Sequence, residues 1–217
     1  MIIQIRATSG GGKTTLMRQL YKAAGCVPKT FEKMQRGGTK TLISQGRLFG
    51  VPFYVIGPYD SEGTGGCDRI SKIEDVIKLV HAAAKKTHDP AGWHTGIVAF
   101  EGLLLAHSWG AMGEFLHEHY GDRYVNAFID TSVEQCFKNV LKRRSSSGKG
   151  NANDPDRVAK IRKNVYDDYH RVELAYDRVI ARGGQRIDIP YRRAFQATSD
   201  YLEKWVLLYS GPKKLRR

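Results

Sequence analysis

Apolar and polar positions switch between a strand-like and a helix-like period along this chain. Ile2-Ile3-Gln4-Ile5 is a β-branched run followed by a glycine turn, and residues 13–24 place Leu16, Leu20 and Ala23 on one helical face, ended by Gly25. Residues 29–38 are polar and predict no element. Residues 41–44 and 51–56 read as two strands around a turn within 45–50, with Pro52 favouring an edge position. Residues 57–68 are too glycine-rich for a helix or a central strand and read as a loop. Ser71-Lys72-Ile73-Glu74 has the capping-box pattern, and Ile73, Val76, Ile77 and Val80 give a helix an apolar face to about residue 86.

Residues 96–102 then read as a buried parallel strand ending in Glu101, residues 112–120 as a short helix, and residues 124–130 as another strand. Leu103, Leu104 and Leu105 are expected to pack against the core. Thr131-Ser132-Val133-Glu134 caps a helix carrying Val133, Phe137, Val140 and Leu141, which runs into Lys142-Arg143-Arg144. Residues 145–153 predict a flexible loop. Asp154 as cap and Pro155 in the first turn open a long helix that turns Val158, Ile161, Val165, Tyr169, Val172, Tyr176 and Val179 inward, until Gly183-Gly184. Residues 186–190 form the last predicted strand and residues 194–209 an amphipathic helix; residues 211–217 read as a frayed tail. No internal repeat or sustained heptad is present. Strands alternating with helices predict an α/β fold with a central, mostly parallel sheet.

The chemistry begins at Ala7-Thr8-Ser9-Gly10-Gly11-Gly12-Lys13-Thr14-Thr15. A strand, a glycine turn and Lys-Thr opening a helix form the phosphate-binding loop arrangement, in which backbone N–H groups and the helix N-terminus attract an anion. Lys13 is then expected to reach the β- and γ-phosphates of ATP, and the Thr14 hydroxyl to ligate Mg2+. Ala7 stands where a glycine is usual, and a small residue fits that turn if its φ stays negative. Glu101, at the end of a buried strand, is expected to hold Mg2+ or position the acceptor. A phosphoryl-transfer enzyme also needs a carboxylate to deprotonate the attacking hydroxyl, for which Asp60 and Asp68 are both candidates. Two helices joined by a basic loop suggest a lid over residues 142–157. Its guanidinium groups close over the transferring phosphoryl, with Arg143 and Arg144 best placed and Lys149 and Arg157 secondary. His117 and His119 lie two apart, off a common helix face, and are not read as metal ligands.

Charge narrows the substrate class. The chain has 35 Lys+Arg against 22 Asp+Glu, a net of +13. Residues 1–137 hold 15 basic and 13 acidic side chains, whereas residues 138–217 hold 20 and 9, a net of +11. An enzyme of free nucleotides has little use for so lopsided a field, whereas DNA or RNA would exploit it. Cys26, Cys67 and Cys136 form no C-x-x-C pair, which suits a reducing cytoplasm and argues against structural zinc. With no long apolar run and no leader before the strand at Ile2, neither secretion nor membrane insertion is expected. The length of 217 residues predicts one domain, with a substrate-binding insertion over residues 38–68.

Together, the loop from Ala7 to Thr15, the strands ending at Glu101 and Asp130, and the lid arginines resemble P-loop kinases of the nucleoside, nucleotide and polynucleotide type. More narrowly, Ile5-Arg6-Ala7-Thr8-Ser9-Gly10, Gly57-Pro58-Tyr59-Asp60 and Gly65-Gly66-Cys67-Asp68 are similar to the 5-hydroxymethyldeoxyuridine DNA kinases, small bacteriophage enzymes. The resemblance implies a P-loop NTPase three-layer sandwich with a helical lid, and transfer of the ATP γ-phosphoryl group to 5-hydroxymethyluracil in DNA. That is a step toward hypermodified thymidine, in the host cytoplasm if the chain is phage-encoded. Tyr54, Tyr59 and Trp109 are candidates to stack on an exposed base. A free nucleoside or nucleotide kinase, a polynucleotide end kinase and a non-catalytic nucleotide-binding protein remain as alternatives, and the oligomeric state is open.

Overall fold

The computed structural model describes residues 1–33, 39–59, 65–87, 96–107, 109–110, 112–146 and 154–209. Seven strands form one sheet: β1 (Ile2–Arg6), β2 (Val27–Lys33), β3 (Thr39–Leu48), β4 (Val51–Ile56), β5 (Ile97–Glu101), β6 (Tyr124–Asp130) and β7 (Gln185–Pro190). Their order is β2-β3-β4-β5-β1-β6-β7. The five strands from β4 to β7 run parallel, with β1 between β5 and β6, while β2 and β3 add an antiparallel flank. The described helices are α1 (Lys13–Ala23), α2 (Ile73–Lys85), α3 (Leu103–His107), α4 (Gly113–Tyr120), α5 (Val133–Ser146), α6 (Pro155–Ala181) and α7 (Ala194–Tyr209).

Both faces of the sheet are covered, which is why its central strands are apolar at consecutive positions. Alternation along β1 sends Ile3 and Ile5 to the face packed by Leu16, Met17 and Leu20 of α1 and Leu202, Trp205 and Val206 of α7. Ile2 goes to the opposite face, with Val98 and Phe100 of β5, Val76 and Val80 of α2, Leu116 of α4 and Val179 of α6. A third, smaller cluster of Cys136, Phe137 and Val140 against Ile161 and Val165 joins α5 to α6. Among the described residues no helix is long and apolar enough to cross a membrane.

Several boundaries differ from expectation. Residues 27–33 form an edge strand because β3 starts at Thr39 and pairs with them over Thr39–Gln45, while the end of β3, to Leu48, pairs with β4. The β3–β4 turn is therefore only Phe49-Gly50, both with positive φ, as a two-residue hairpin requires. Pro52 lies in an interior strand rather than at an edge. It is tolerated because pairing with β5 starts one residue later, at Phe53↔Ile97. Ser71 does not cap α2; Lys72 occupies the cap position without a side-chain bond. Helix α5 runs on through Ser145 and Ser146, whose hydroxyls donate to Leu141 O (3.0 Å) and Lys142 O (2.8 Å). Asp154 caps α6 as expected, accepting from the Asp156 and Arg157 amides. The loop expected to follow α5, with Lys149, lies outside the described residues from 147 onward, as do Asp60 and the tail.

Candidate active site

The loop between β1 and α1 is built by close packing as much as by its own turn. Gly10 and Gly12 take φ of +82° and +91°, and Gly11 N donates to Thr8 O at 3.0 Å. A Cβ on Gly10 would lie 2.3 Å from the Cys136 carbonyl oxygen, so α5 can press on the loop only because that side chain is missing. Ala7 is fully buried and does not have positive φ; a Cβ on Gly11 would lie 2.7 Å from the Ala7 Cβ, so the two small residues share one space. Thr131 Oγ1 donates to Gly11 O (3.2 Å), and Asn139 Nδ2 to Gly10 O (2.8 Å) and to Tyr191 Oη (3.0 Å). The loop is thus pinned from β6, α5 and the turn after β7.

Lys13 is buried, and its Nζ donates to Ala7 O (2.7 Å) and Thr8 O (3.0 Å). Burial pushes its pKa down, while the carboxylates of Glu101, Asp68 and Asp168 work in the opposite direction. Next to it, Thr14 Oγ1 donates to Glu101 Oε1 at 2.9 Å, and Tyr59 Oη donates to the same oxygen at 3.1 Å. Glu101 is 1 % exposed, and burial raises its carboxyl pKa against the pull of Lys13 and the Thr14 bond. One hydroxyl and one carboxylate in contact at a loop-to-strand junction are a donor set of hard oxygen ligands, which fits Mg2+ completed by water and phosphate oxygens.

These groups open onto a cavity of about 440 Å³ lined by Ser9, Lys13, Thr14, Asp68, Glu101 and Arg143, among others. Gly10, Gly12 and Thr15 also border it; Thr8 lies buried behind, its hydroxyl without a hydrogen-bond partner among the described residues. Asp68 sits in the 3-10 turn Cys67–Arg69, exposed at the mouth. Arg143 reaches the cavity from α5, whereas Arg144 does not line it. A larger cleft of about 610 Å³ lies between α6 and the ends of β6 and β7, but Asp130, Glu173, Asp177 and Asp188 line it. Those carboxylates repel a polyphosphate, so the smaller cavity is the better phosphate site.

One sequence expectation changes here, and two residues gain a role. Tyr54, Tyr59 and Trp109 are 5 %, 5 % and 3 % exposed, so none is available to stack on a nucleobase. Tyr59 serves instead as a donor to Glu101. Gly66 enters the sequence reading only as part of Gly65-Gly66-Cys67-Asp68, with no role of its own, yet its φ of +87° brings its Cα so close to β5 that a Cβ would stand 2.5 Å from Glu101 Oε1. Asn139 carried no sequence signal, being one polar position on a polar helix face. Behind the site, His107 Nε2 at the end of α3 faces Asp168 Oδ1 on α6 at 3.7 Å.

No protein-family model matches the chain. Among solved structures, an uncharacterized protein from Eubacterium ventriosum aligns over 96% of this chain and 98% of that one with a TM-score of 0.37 and 14% identity, too slight a likeness to build on. Two curated relatives are informative. The 5-hmdU DNA kinase of Pseudomonas phage PaMx11 is 26% identical over 203 residues, spanning 93% of this chain and 97% of the relative. That of Pseudomonas phage M6 is 26% identical over 208 residues, with the same coverage of each. Over nearly its whole length, the chain is a distant relative of two phage proteins named 5-hmdU DNA kinase.

Proposed function

We propose that this protein is an ATP-dependent kinase that transfers the γ-phosphoryl group to the hydroxymethyl oxygen of 5-hydroxymethyluracil in DNA. In this reading residues 1–217 form a single P-loop NTPase domain acting in the cytoplasm of a phage-infected cell. Residues 38–68 contribute to acceptor binding, and residues 142–157 are the lid. The observation that carries the reading is the contact of Thr14 with Glu101 beside a buried lysine and a glycine loop, in a cavity that also takes in Asp68 and Arg143. The named relatives supply the acceptor class.

The triphosphate of ATP lies along the loop amides of residues 10–15, and Lys13 leaves the Ala7 and Thr8 carbonyls to meet the β- and γ-phosphates. Thr14 and Glu101 would hold Mg2+, which when bound offsets the charge of the phosphate oxygens. Asp68 accepts the hydroxyl proton as the acceptor oxygen bonds to the γ-phosphorus and the bond to the β,γ-bridging oxygen breaks, releasing ADP. Arg143 covers the charge of the phosphoryl in flight and limits access of water. Tyr59 keeps the Glu101 carboxylate oriented.

The test is transfer of labelled γ-phosphate from ATP to three acceptors in parallel: DNA containing 5-hydroxymethyluracil, ordinary thymine DNA, and the free hydroxymethyl nucleoside. Label on the hydroxymethyl DNA alone is expected. Label on DNA ends regardless of base, or on the free nucleoside alone, refutes the assignment.

A further inference from the structure

We propose that the solvent face of the α5–α6 hairpin binds the phosphodiester backbone of the substrate DNA. The inference rests on the base-kinase reading and gives its substrate a place on the protein. Residues 138–163 hold nine Lys+Arg and two Asp+Glu, a net of +7, more than half the charge of the whole chain. Lys138 and Lys142 on α5, and Lys160 and Lys163 on α6, are all exposed. Spacings of four and three residues put each pair on one side of its helix, with Cβ atoms about 5–6 Å apart.

This surface is separate from the phosphate cavity. Asn139 and Arg143 are the α5 residues that line the cavity, and each follows one of the lysines by a single position, about 100° around the helix. Neither Lys138 nor Lys142 lines that cavity. The hairpin is also a firm platform: Phe137 and Val140 pack on Ile161 and Val165, and the Arg162 guanidinium lies 4.6 Å from the Phe137 ring centroid. Glu134, a nearby carboxylate, is engaged by Tyr166 Oη at 2.9 Å, and Asp167 pairs with Lys163 at 2.8 Å, a solvated pair that adds little. So dense a set of cations repels itself unless a polyanion lies along it. An anionic membrane is a poorer match, since the apolar side chains shared by the two helices are turned into their mutual contact rather than outward.

The test is the salt dependence of binding to a labelled DNA duplex of about 20 base pairs without ATP, where each phosphate contact adds about 0.9 to the slope of log K against log salt. The variant Lys138→Gln/Lys142→Gln/Lys160→Gln/Lys163→Gln is expected to be shallower than wild type by about 3–4, and to bind at least about tenfold more weakly near 0.1 M salt. A matched variant with Lys22, Lys72, Lys85 and Lys86 changed to Gln is expected to keep the wild-type slope. If the quadruple hairpin variant does not fold, the two double variants each lose about 2 from the slope. An unchanged slope in the hairpin variants, an equal loss in the matched control, or equally tight binding of wild type to phosphatidylserine vesicles overturns the proposal. Because the assay reads binding without turnover, a steep hairpin-dependent slope in a protein that transfers no phosphate would retain this surface and defeat the kinase reading instead.

Discussion

Replacing Gly66 by alanine tests the geometry of the carboxylate at its most constrained point. Gly66 has φ +87° and ψ −175°, a region that only glycine occupies readily, and holding alanine there costs about 1–3 kcal/mol. The new Cβ would stand 2.5 Å from Glu101 Oε1 and 3.1 Å from the Glu101 carbonyl oxygen. Relief by moving the carboxylate sacrifices the bonds from Thr14 and Tyr59, about 1 kcal/mol each at least. The sum is about 3–5 kcal/mol, which for a chain of this length lowers Tm by roughly 6–20 °C. Gly50 is the matched control: its φ is +79° but a Cβ there would meet nothing within 4 Å. Gly50→Ala should lose only the backbone cost of about 1–2 kcal/mol. Scanning calorimetry of both variants decides the matter. Equal melting temperatures for the two would refute the claim that Gly66 makes room for a fixed Glu101.

Three further outcomes are expected. Asn139→Ala removes the donor to Gly10 O and Tyr191 Oη, so it should cost about 1 kcal/mol in thermal unfolding and raise the KM for ATP, with a smaller effect on kcat. Arg6 is fully buried and donates to Asn126, Gln4, Tyr124 and the Leu105 and Ala106 carbonyls, so Arg6→Leu strands several acceptors and should lose on the order of 4 kcal/mol in urea unfolding. Burial pushes the thiols of Cys26 and Cys136 up to about 12 and about 11, above their usual 9. The folded state then holds those protons after the unfolded chain has released them, so stability is full below about pH 9 and falls as pH rises from there toward 11–12. Cys26→Ala/Cys136→Ala should flatten that decline, and Ellman's reagent at pH 8 should label the native protein far more slowly than the denatured one.

What could be read from sequence was local in cause. The run into β1, the glycine turn and Lys13-Thr14 declare a loop and helix through neighbouring residues alone, and Glu101 stands out because four apolar residues precede it. The α5–α6 hairpin follows from Asp154-Pro155 and the inward stripe of α6, which the structure buries at Ile161, Val165 and Val179. What could not be read depended on partners distant in sequence. Strand β2 leaves Val27 and Phe31 exposed and holds its place by pairing with β3, so no alternation marks it. Pro52 signalled an edge, because nothing in its neighbourhood tells that the β5 ladder starts one residue past it. Tyr54, Tyr59 and Trp109 are candidates by residue type, but neither a strand position in β4, a glycine-rich loop nor the segment after α3 reveals by itself that its aromatic is turned into the core. Gly66 and Asn139 matter for what they face across the site, which no pattern along the chain encodes.

The most direct test of the central claim is digestion of the DNA product to nucleosides after incubation with ATP, followed by mass spectrometry, for wild type, Lys13→Ala and Glu101→Gln. The account predicts a phosphate on the hydroxymethyl group of the modified uracil with wild type, none with Lys13→Ala, and at most a trace with Glu101→Gln. Phosphate found only at strand ends, or wild-type product levels from Lys13→Ala, would contradict it.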